Sequence, residues 1–264
     1  MNFKQLGSYF VAPNPAYALS HTRVKMYWWS GKPNVGDAIS PFLVSALSER
    51  EVVSAKKREH PKLLAVGSLM HYARAGDIIW GTGCISEDTK IKTRRLHVTA
   101  VRGPRTRELL LKRGVDCPEV YGDPAILLPR FLAAKVVKKK HRLGVIPHYM
   151  DREEVVISDP AVKVISVALP AEEFISEILS CERVISSSLH GIILAEAYGV
   201  AADWIKFSDR LLGQNFKFDD YFEGTGREAI EPLSADSIFL EREHPQAKFN
   251  VTGLIEAFPF SPKM

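Results

Sequence analysis

The chain has 264 residues, a length that suits two compact domains of about 100–150 residues better than one. Apolar residues make up 46% and charged residues 25%, a balance that excludes a disordered, collagen-like or coiled-coil protein. The net charge of +4 is too small to indicate nucleic acid, and no apolar run approaches the ~18–20 residues that a membrane helix needs. The first residues lack the pattern of a secretory signal and the three cysteines lack paired spacing, so we expect a cytoplasmic protein.

Short apolar runs that end in Gly-rich polar turns alternate with helical patterns in the first half of the chain. Strands are predicted at residues 24–29, 63–66, 77–80, 98–101 and 119–121. A helix is predicted over residues 39–47, and another begins at Pro104, because proline favours the first helical position. This alternation predicts βα units around a parallel sheet.

The same alternation restarts after the basic segment 138–142. Strands are predicted at 143–146, 162–167, 183–185 and 202–205, and helices at 171–179, 192–198 and 251–257. We therefore predict an α/β fold of two Rossmann-like, doubly wound domains that face each other across a cleft. The N-terminal domain is expected at residues 1–137 and the C-terminal domain at 138–264, with the last helix packing back on the N-terminal domain.

Ligands of open parallel sheets bind at the carboxyl ends of the strands, where helix N-termini favour phosphate. The sharpest motif, residues 186–191, stands at such a position. His190 suits proton transfer at neutral pH, and the hydroxyls of Ser187 and Ser188 could bind a phosphate where Gly191 lets a ligand approach the backbone. The alternative is an ordinary serine cap beside a packed histidine.

Other strand ends carry weaker candidates. Asn34 and Asp37 could orient the hydroxyls of a polyol, with Asp37 as a base, although an Asx turn and a helix cap use the same residues. Arg102 directly follows a strand, and an arginine there can bind carboxylate or phosphate with two hydrogen bonds. His148 follows another strand, where a structural role is the alternative.

Together these motifs resemble those of the polysaccharide pyruvyltransferase family, and most closely its xanthan-pathway branch. The resemblance is carried by Asn34-x-Gly36-Asp37, Val101–Pro104, Gly122–Pro124 and Ser187–Gly191, and continues through residues 193–199 and 219–227. It extends from about Trp28 to Pro259, which is nearly the whole chain. Each motif alone is weak, whereas the ordered set is specific.

The resemblance implies a GT-B-like fold in which phosphoenolpyruvate is the donor and a terminal sugar of an exopolysaccharide unit is the acceptor. The product is a cyclic pyruvate ketal, with release of phosphate. His190 matches the essential histidine of the family and Arg102 the arginine associated with the donor, but Ser188 stands where much of the family has arginine. The candidates for a replacement cation are Arg210, Lys206, Arg227 and His148. No cofactor and no metal are expected, since the chemistry is not redox and no metal-ligand spacing occurs.

The resulting hypothesis gives each candidate residue a role. The catalytic residues are His190 and Asp37; the donor-binding residues are Arg102, Ser187, Ser188, Gly191, His148 and Arg210; the acceptor-binding residues are Asn34, Asp123, Asp219 and Asp220. By family analogy the acceptor is an oligosaccharide linked to polyprenyl diphosphate, and the basic segments 90–113 and 138–142 predict peripheral contact with the anionic inner face of the plasma membrane. Aromatic residues do not interleave with the basic ones, so no nucleic acid partner is expected.

Two other functions are compatible with these motifs, because a fold does not determine a function. The first is a GT-B glycosyltransferase with a nucleotide-sugar donor, which would need a carboxylate for the ribose, such as Glu196. The second is a glycan-binding, non-catalytic component of a polysaccharide assembly complex.

Overall fold

A computed structural model describes residues 22–210, 213, 215–243 and 245–260. The chain start, on which the expectation about a secretory signal depends, lies outside the described residues. In the first half the strands are β1 (Arg23–Met26), β2 (Glu51–Ser54), β3 (Leu63–Leu64), β4 (Ile78–Trp80) and β5 (His97–Ala100). The helices are α1 (Val35–Ser48) and α2 (Pro104–Lys112), with 3-10 turns at Met70–Tyr72 and Pro124–Arg130.

These five strands form one parallel sheet in the order β2-β1-β3-β4-β5. Its register places Met26 beside Leu63 and Leu63 beside Ile78. The strand predicted at residues 119–121 is reduced to a single parallel bridge between Val101 and Tyr121.

The second half repeats this arrangement. Its elements are β6 (His141–Ile146), β7 (Val162–Val164), α3 (Ala171–Leu179), β8 (Cys181–Ser186), α4 (Leu189–Ala197), β9 (Ala201–Lys206), α5 (Phe216–Gly224), β10 (Leu233–Ser234) and α6 (Val251–Glu256), with 3-10 turns at Arg152–Glu154 and Ala235–Ser237. The strands form a parallel sheet in the order β10-β9-β8-β6-β7. Helix α4 is buried along residues 189–195, as expected for a helix that is apolar on every side.

Both sheets have the same strand order when each is counted from its own first strand. In this 2-1-3-4-5 order, the connections leave in opposite directions from the first and third strands, and a crevice opens between the loops that follow them. The crevice of the first sheet lies after β1 and β3, and that of the second lies after β6 and β8. The prediction of an α/β protein with two parallel-sheet units is confirmed.

A continuous apolar core joins the two halves. One cluster contains Ile39 and Leu127 from the first half and Ile192 and Trp204 from the second. Helix α6 also lies on the first half, where Trp80 Nε1 donates a hydrogen bond to the carbonyl oxygen of Leu254 at 2.8 Å. The sheets are therefore fixed against each other near the strand ends, and the domain boundary after residue 137 stays a prediction.

Candidate active site

The crevices of the two sheets meet at the first turns of α1 and α4. Helix α1 is capped by the Asn34 side chain, which accepts a hydrogen bond from the Gly36 N–H at 3.0 Å. His190, in the first turn of α4, lies so close to Gly36 that a Cβ there would stand 2.0 Å from its Nδ1. A Cβ at Gly67, in the loop after β3, would be 3.5 Å from Asp37 Oδ1 and 3.7 Å from His190 Cε1. The structure thus brings His190 and Asp37 together from opposite halves.

Asp123 lies behind His190. Its Oδ2 is 3.6 Å from His190 Nε2, and its carboxylate accepts hydrogen bonds from the N–H groups of Gly67 at 3.2 Å and Ala125 at 3.0 Å. His190 Nε2 is buried and makes no hydrogen bond within the described part of the chain. The acceptor-binding role predicted for Asp123 does not fit, because its side chain has no exposed surface. Its position suits a carboxylate that orients the imidazole and stabilises the charge formed when the ring takes up a proton.

Asp37 titrates close to neutral pH. Burial raises the pKa of its carboxyl to about 6, and Asp123 adds to the increase, while His190 and Lys217 oppose it. A carboxyl group with such a pKa can both give and accept protons near neutral pH. Perturbed pKa values of this kind are common at functional sites.

The serines before His190 differ in what they contact. Ser187 Oγ donates to Asp151 Oδ2 at 2.6 Å and accepts from the His148 N–H at 2.9 Å, so this hydroxyl holds the loops after β6 and β8 together. Ser188 is the N-cap of α4, and its hydroxyl makes no hydrogen bond with any residue that the structure describes. The Ser188 hydroxyl is therefore not used by the helix cap, and donor binding by Ser188 stays a prediction.

Two predicted donor-binding residues have other roles in the structure. A Cβ at Gly191 would lie 2.3 Å from Ser186 Oγ and 2.9 Å from Ile146 Cγ2, so the missing side chain permits close packing and leaves no opening for a ligand. Burial lowers the pKa of His148 to about 3, with smaller contributions from nearby cations. His148 is therefore neutral at physiological pH and does not supply positive charge.

Arg102 forms a buried ion pair between the halves. Its Nε donates to Asp220 Oδ2 at 3.0 Å, its Nη1 to Ser68 Oγ at 2.8 Å and its Nη2 to the Cys84 carbonyl at 2.6 Å. Asp220 also accepts from the N–H and the hydroxyl of Thr106, at 2.8 and 2.7 Å. The Arg102 side chain is fully buried and each guanidinium nitrogen already binds protein, so its predicted contact with a donor stays a prediction that would require this network to open. Asp220 is likewise fully buried with both carboxylate oxygens bonded, so acceptor binding by Asp220 would require the same network to open.

Arg105 makes the neighbouring contact between α2 and α5. It donates to Asp219 at 2.8 Å and to Glu223 at 2.8 to 3.1 Å, so acceptor binding by Asp219 stays a prediction that would require this network to open. Arg210 forms an ion pair with Glu154, and its side chain is 52% exposed. Donor binding by Arg210 therefore stays a prediction that would require this pair to open.

The carboxylate considered for a nucleotide ribose is occupied. Glu196 accepts from Arg227 through both oxygens, at 2.6 and 3.0 Å, and from the Tyr221 hydroxyl at 2.5 Å. In this network the opposite charges of Glu196 and Arg227 compensate each other. A nucleotide-sugar donor would thus need a different carboxylate.

The sequence analysis missed Lys217 in the first turn of α5. Its side chain is nearly buried, and burial lowers the pKa of the ammonium group to about 8, with a further decrease from Arg102 and opposing effects of Asp151 and Asp37. In the sequence it appears only as a lysine between two phenylalanines, a pattern that does not by itself indicate a functional site.

The described residues contain neither a candidate metal site nor a helix that could span a membrane. Among residues 22–260, apart from 211, 212, 214 and 244, no three His, Cys, Asp or Glu side chains are grouped as metal ligands would be. In the same part of the chain, each helix is too short or too polar to cross a membrane.

An imidazole and a carboxyl with a raised pKa lie where two parallel sheets meet at their strand ends, an arrangement that occurs at functional sites of α/β proteins. The family model described as polysaccharide pyruvyl transferase matches residues 54–202, more than half of the chain and the part that contains His190 and Asp123. The chain belongs to this family, and we therefore describe it as a transferase of pyruvyl groups in polysaccharide biosynthesis.

One similar protein is from Acanthamoeba polyphaga mimivirus. It is the uncharacterized protein L143, which is 30% identical over 208 residues that cover 74% of this chain and 72% of that protein. No solved structure matches the chain.

Proposed function

We propose that the protein transfers the pyruvyl group of phosphoenolpyruvate to two hydroxyls of one terminal sugar, forming a cyclic ketal and releasing phosphate. The observation that carries this proposal is the approach of His190 and Asp37 from opposite halves, both against Gly67, in a chain of the pyruvyl transferase family. Phosphoenolpyruvate fits as the donor because its phosphate activates the pyruvyl carbon and is itself the leaving group.

The reaction needs one acid and one base. Protonation of the methylene carbon makes C2 electrophilic, and a first sugar hydroxyl adds to C2 while its proton passes to the base. The second hydroxyl then forms the second C2–O bond as the bond from C2 to the phosphate oxygen breaks. Phosphate leaves with the electron pair and takes up the second hydroxyl proton, so protons and electrons balance without a redox partner.

In this proposal, His190 and Asp37 share the acid and base roles, with Asp123 orienting the imidazole. A general acid or base contributes about 10²–10⁴ in rate, and the alignment of donor and hydroxyls can contribute ~7–11 kcal/mol. Ser188 and the N-terminus of α4 would receive an anionic group of the donor. The Asn34 oxygen is occupied by the helix cap, which leaves its amide nitrogen to donate to a sugar hydroxyl.

The test is incubation of the protein with ¹³C-labelled phosphoenolpyruvate and acceptor oligosaccharides, followed by NMR detection of the ketal methyl group and measurement of phosphate. His190→Gln is expected to lower the rate by at least about 100-fold. His97→Gln is the matched control, because His97 begins β5 and lies at the end of the sheet opposite the site. Normal ketal formation by His190→Gln, or turnover of a nucleotide sugar instead, would contradict the proposal.

We further propose that the acceptor is lipid-linked and that the enzyme reaches it at the cytoplasmic face of the plasma membrane. Exposed lysines and arginines occur in both basic segments, among them Lys90, Arg94, Lys138 and Lys140. Polybasic surfaces bind anionic lipid, and salt weakens such binding. Co-sedimentation with phosphatidylglycerol vesicles should therefore decrease with added salt and with the double substitution Lys138→Glu, Lys140→Glu. Absence of binding at low salt would exclude electrostatic recruitment.

A further inference from the structure

Lys217 is a buried cation without an anionic partner. Its exposed fraction is 9%, and it forms no ion pair or hydrogen bond with any residue of the described ranges. Its contact is with the Phe218 ring, whose centroid lies 5.2 Å from Nζ. Removing an ammonium ion from water costs several kcal/mol, so an uncompensated charge at this depth makes a strong binding site for an anion.

Lys217 interacts electrostatically with residues from both crevices. Its charge acts on Asp37 of the first half and on His148 of the second, and Asp151 and Arg102 act on Lys217 in turn. Lys217 therefore interacts electrostatically with Asp37 of the proposed acid–base pair. The acids near it have other functions or partners: Asp37 is half-buried beside His190, and Asp151 accepts from two serine hydroxyls, those of Ser187 and Ser208.

The arginines and the lysine considered above as donor-binding cations are already paired. Arg102 is paired with Asp220, Arg227 with Glu196, Arg210 with Glu154 and Lys206 with Asp209. His148 is uncharged at neutral pH because of its burial. Of the candidate cations considered, Lys217 is the one that can bind an incoming anion without first breaking an ion pair.

We propose that Lys217 Nζ binds the phosphate or the carboxylate of the donor, together with the Ser188 hydroxyl and the N-terminus of α4. This inference rests on the proposed function, since it assigns the anion site of phosphoenolpyruvate. A donor with two anionic groups fits a site in which Lys217 receives one group and the Ser188 hydroxyl with the N-terminus of α4 receives the other.

The experiment compares Lys217→Met and Lys217→Arg with the wild type by isothermal titration with phosphoenolpyruvate, inorganic phosphate and pyruvate. Lys217→Met should bind phosphoenolpyruvate at least tenfold more weakly and raise the donor KM, with the acceptor KM unchanged. Lys217→Arg should restore most of the affinity. Loss of phosphate affinity alone would place Lys217 on the phosphate, and loss of pyruvate affinity alone would place it on the carboxylate.

Stability separates binding from a structural role. Lys217→Met should melt at the same temperature as the wild type or higher, because it removes an unpaired buried charge. Lys112→Met is the matched control, since Lys112 is exposed and pairs with Glu108 on the surface of α2. If Lys217→Met does not fold, Lys217→Gln keeps an uncharged polar group that is one bond shorter, and it carries the same expectation for affinity.

The outcomes distinguish the two proposals. Equal donor affinity in the wild type and Lys217→Met would overturn the role of Lys217 and leave the proposed function intact. Phosphate binding that depends on Lys217, without ketal formation from phosphoenolpyruvate, would support the anion site and overturn the proposed function. A wild-type protein that binds none of the three anions would overturn both.

Discussion

Replacing Gly36 by alanine tests whether this position exists to admit the imidazole of His190. The added Cβ would lie 2.0 Å from His190 Nδ1 and 2.1 Å from its Cγ. Non-bonded heavy atoms pack at about 3.5–4.0 Å, so the ring would have to move by roughly 1.5 Å. That movement would change the 3.6 Å separation of Nε2 from Asp123.

The expected loss of activity is large and the expected loss of stability is small. A misplacement of about 1 Å at a reacting group can cost roughly 100-fold in rate, so Gly36→Ala should lose at least about two orders of magnitude. Overpacking costs about 1–3 kcal/mol, but alanine is better than glycine in a helix by up to about 1 kcal/mol. The net free energy of unfolding should therefore decrease by about 0–2 kcal/mol.

A double-mutant cycle with His190→Ala isolates the contact. Once the imidazole is absent, Gly36→Ala should be neutral or should stabilise the protein by up to about 1 kcal/mol. Urea unfolding of the four proteins measures the coupling, expected at about 1–3 kcal/mol. Near-normal ketal formation by Gly36→Ala, or an equal stability cost in both backgrounds, would refute the assignment of Gly36 as the space for His190.

Three other substitutions test the environment of the site. Asp37→Asn should be more stable than the wild type at pH 7 by about 2–3 kcal/mol, because the raised pKa of Asp37 makes its ionisation a cost to the folded state. The difference in the free energy of unfolding between the two proteins, measured with urea, should disappear as the pH falls from about 6 to 4, because the wild-type carboxyl becomes protonated. A difference that stays constant over this range would contradict the reasoning. Arg102→Met should lower the free energy of unfolding by about 3–5 kcal/mol, because Asp220 is left buried without its cation. Adding Asp220→Leu to Arg102→Met should recover part of this loss. A double variant as unstable as Arg102→Met alone would argue against the ion pair. Gly191→Ala should lower the free energy of unfolding, measured by thermal unfolding, by about 1–3 kcal/mol, because the added Cβ clashes with Ser186. Normal stability together with weaker phosphate binding would instead support a ligand role for Gly191.

Sequence periodicity predicts the fold well where an element is stabilised by its own pattern. Helix α3 has its predicted bounds, because Pro170 precedes it and Phe174, Ile175 and Ile178 form one apolar face. Helix α5 is not predicted, since its charged residues are buried and the partners of Asp219 and Asp220 come from another part of the chain. Lys217, Asp219 and Asp220 look like a polar surface until the first half is packed against them.

The candidate site is likewise predicted only in part from the sequence. His190 and Asp37 follow from their place at strand ends, a rule that depends on local order alone. Arg102 and Asp220 are separated by 118 positions, and nothing in either segment indicates that they neutralise each other. The sequence therefore identifies groups that can do chemistry, while the assignment of binding roles requires knowing which charges the fold has already paired.

The shared strand order of the two halves explains why the site depends on both. Each sheet has a crevice between its first and third strands, but the first contributes Asp37 and Gly67, whereas the second contributes His190. The halves are held together by their shared core and by the contacts of residues 102–106 with α5, which include the Arg102–Asp220 pair. Loss of this pair should therefore reduce activity even though Arg102 does not reach the reacting groups, because the acid and the base are positioned by the interface and by neither sheet alone.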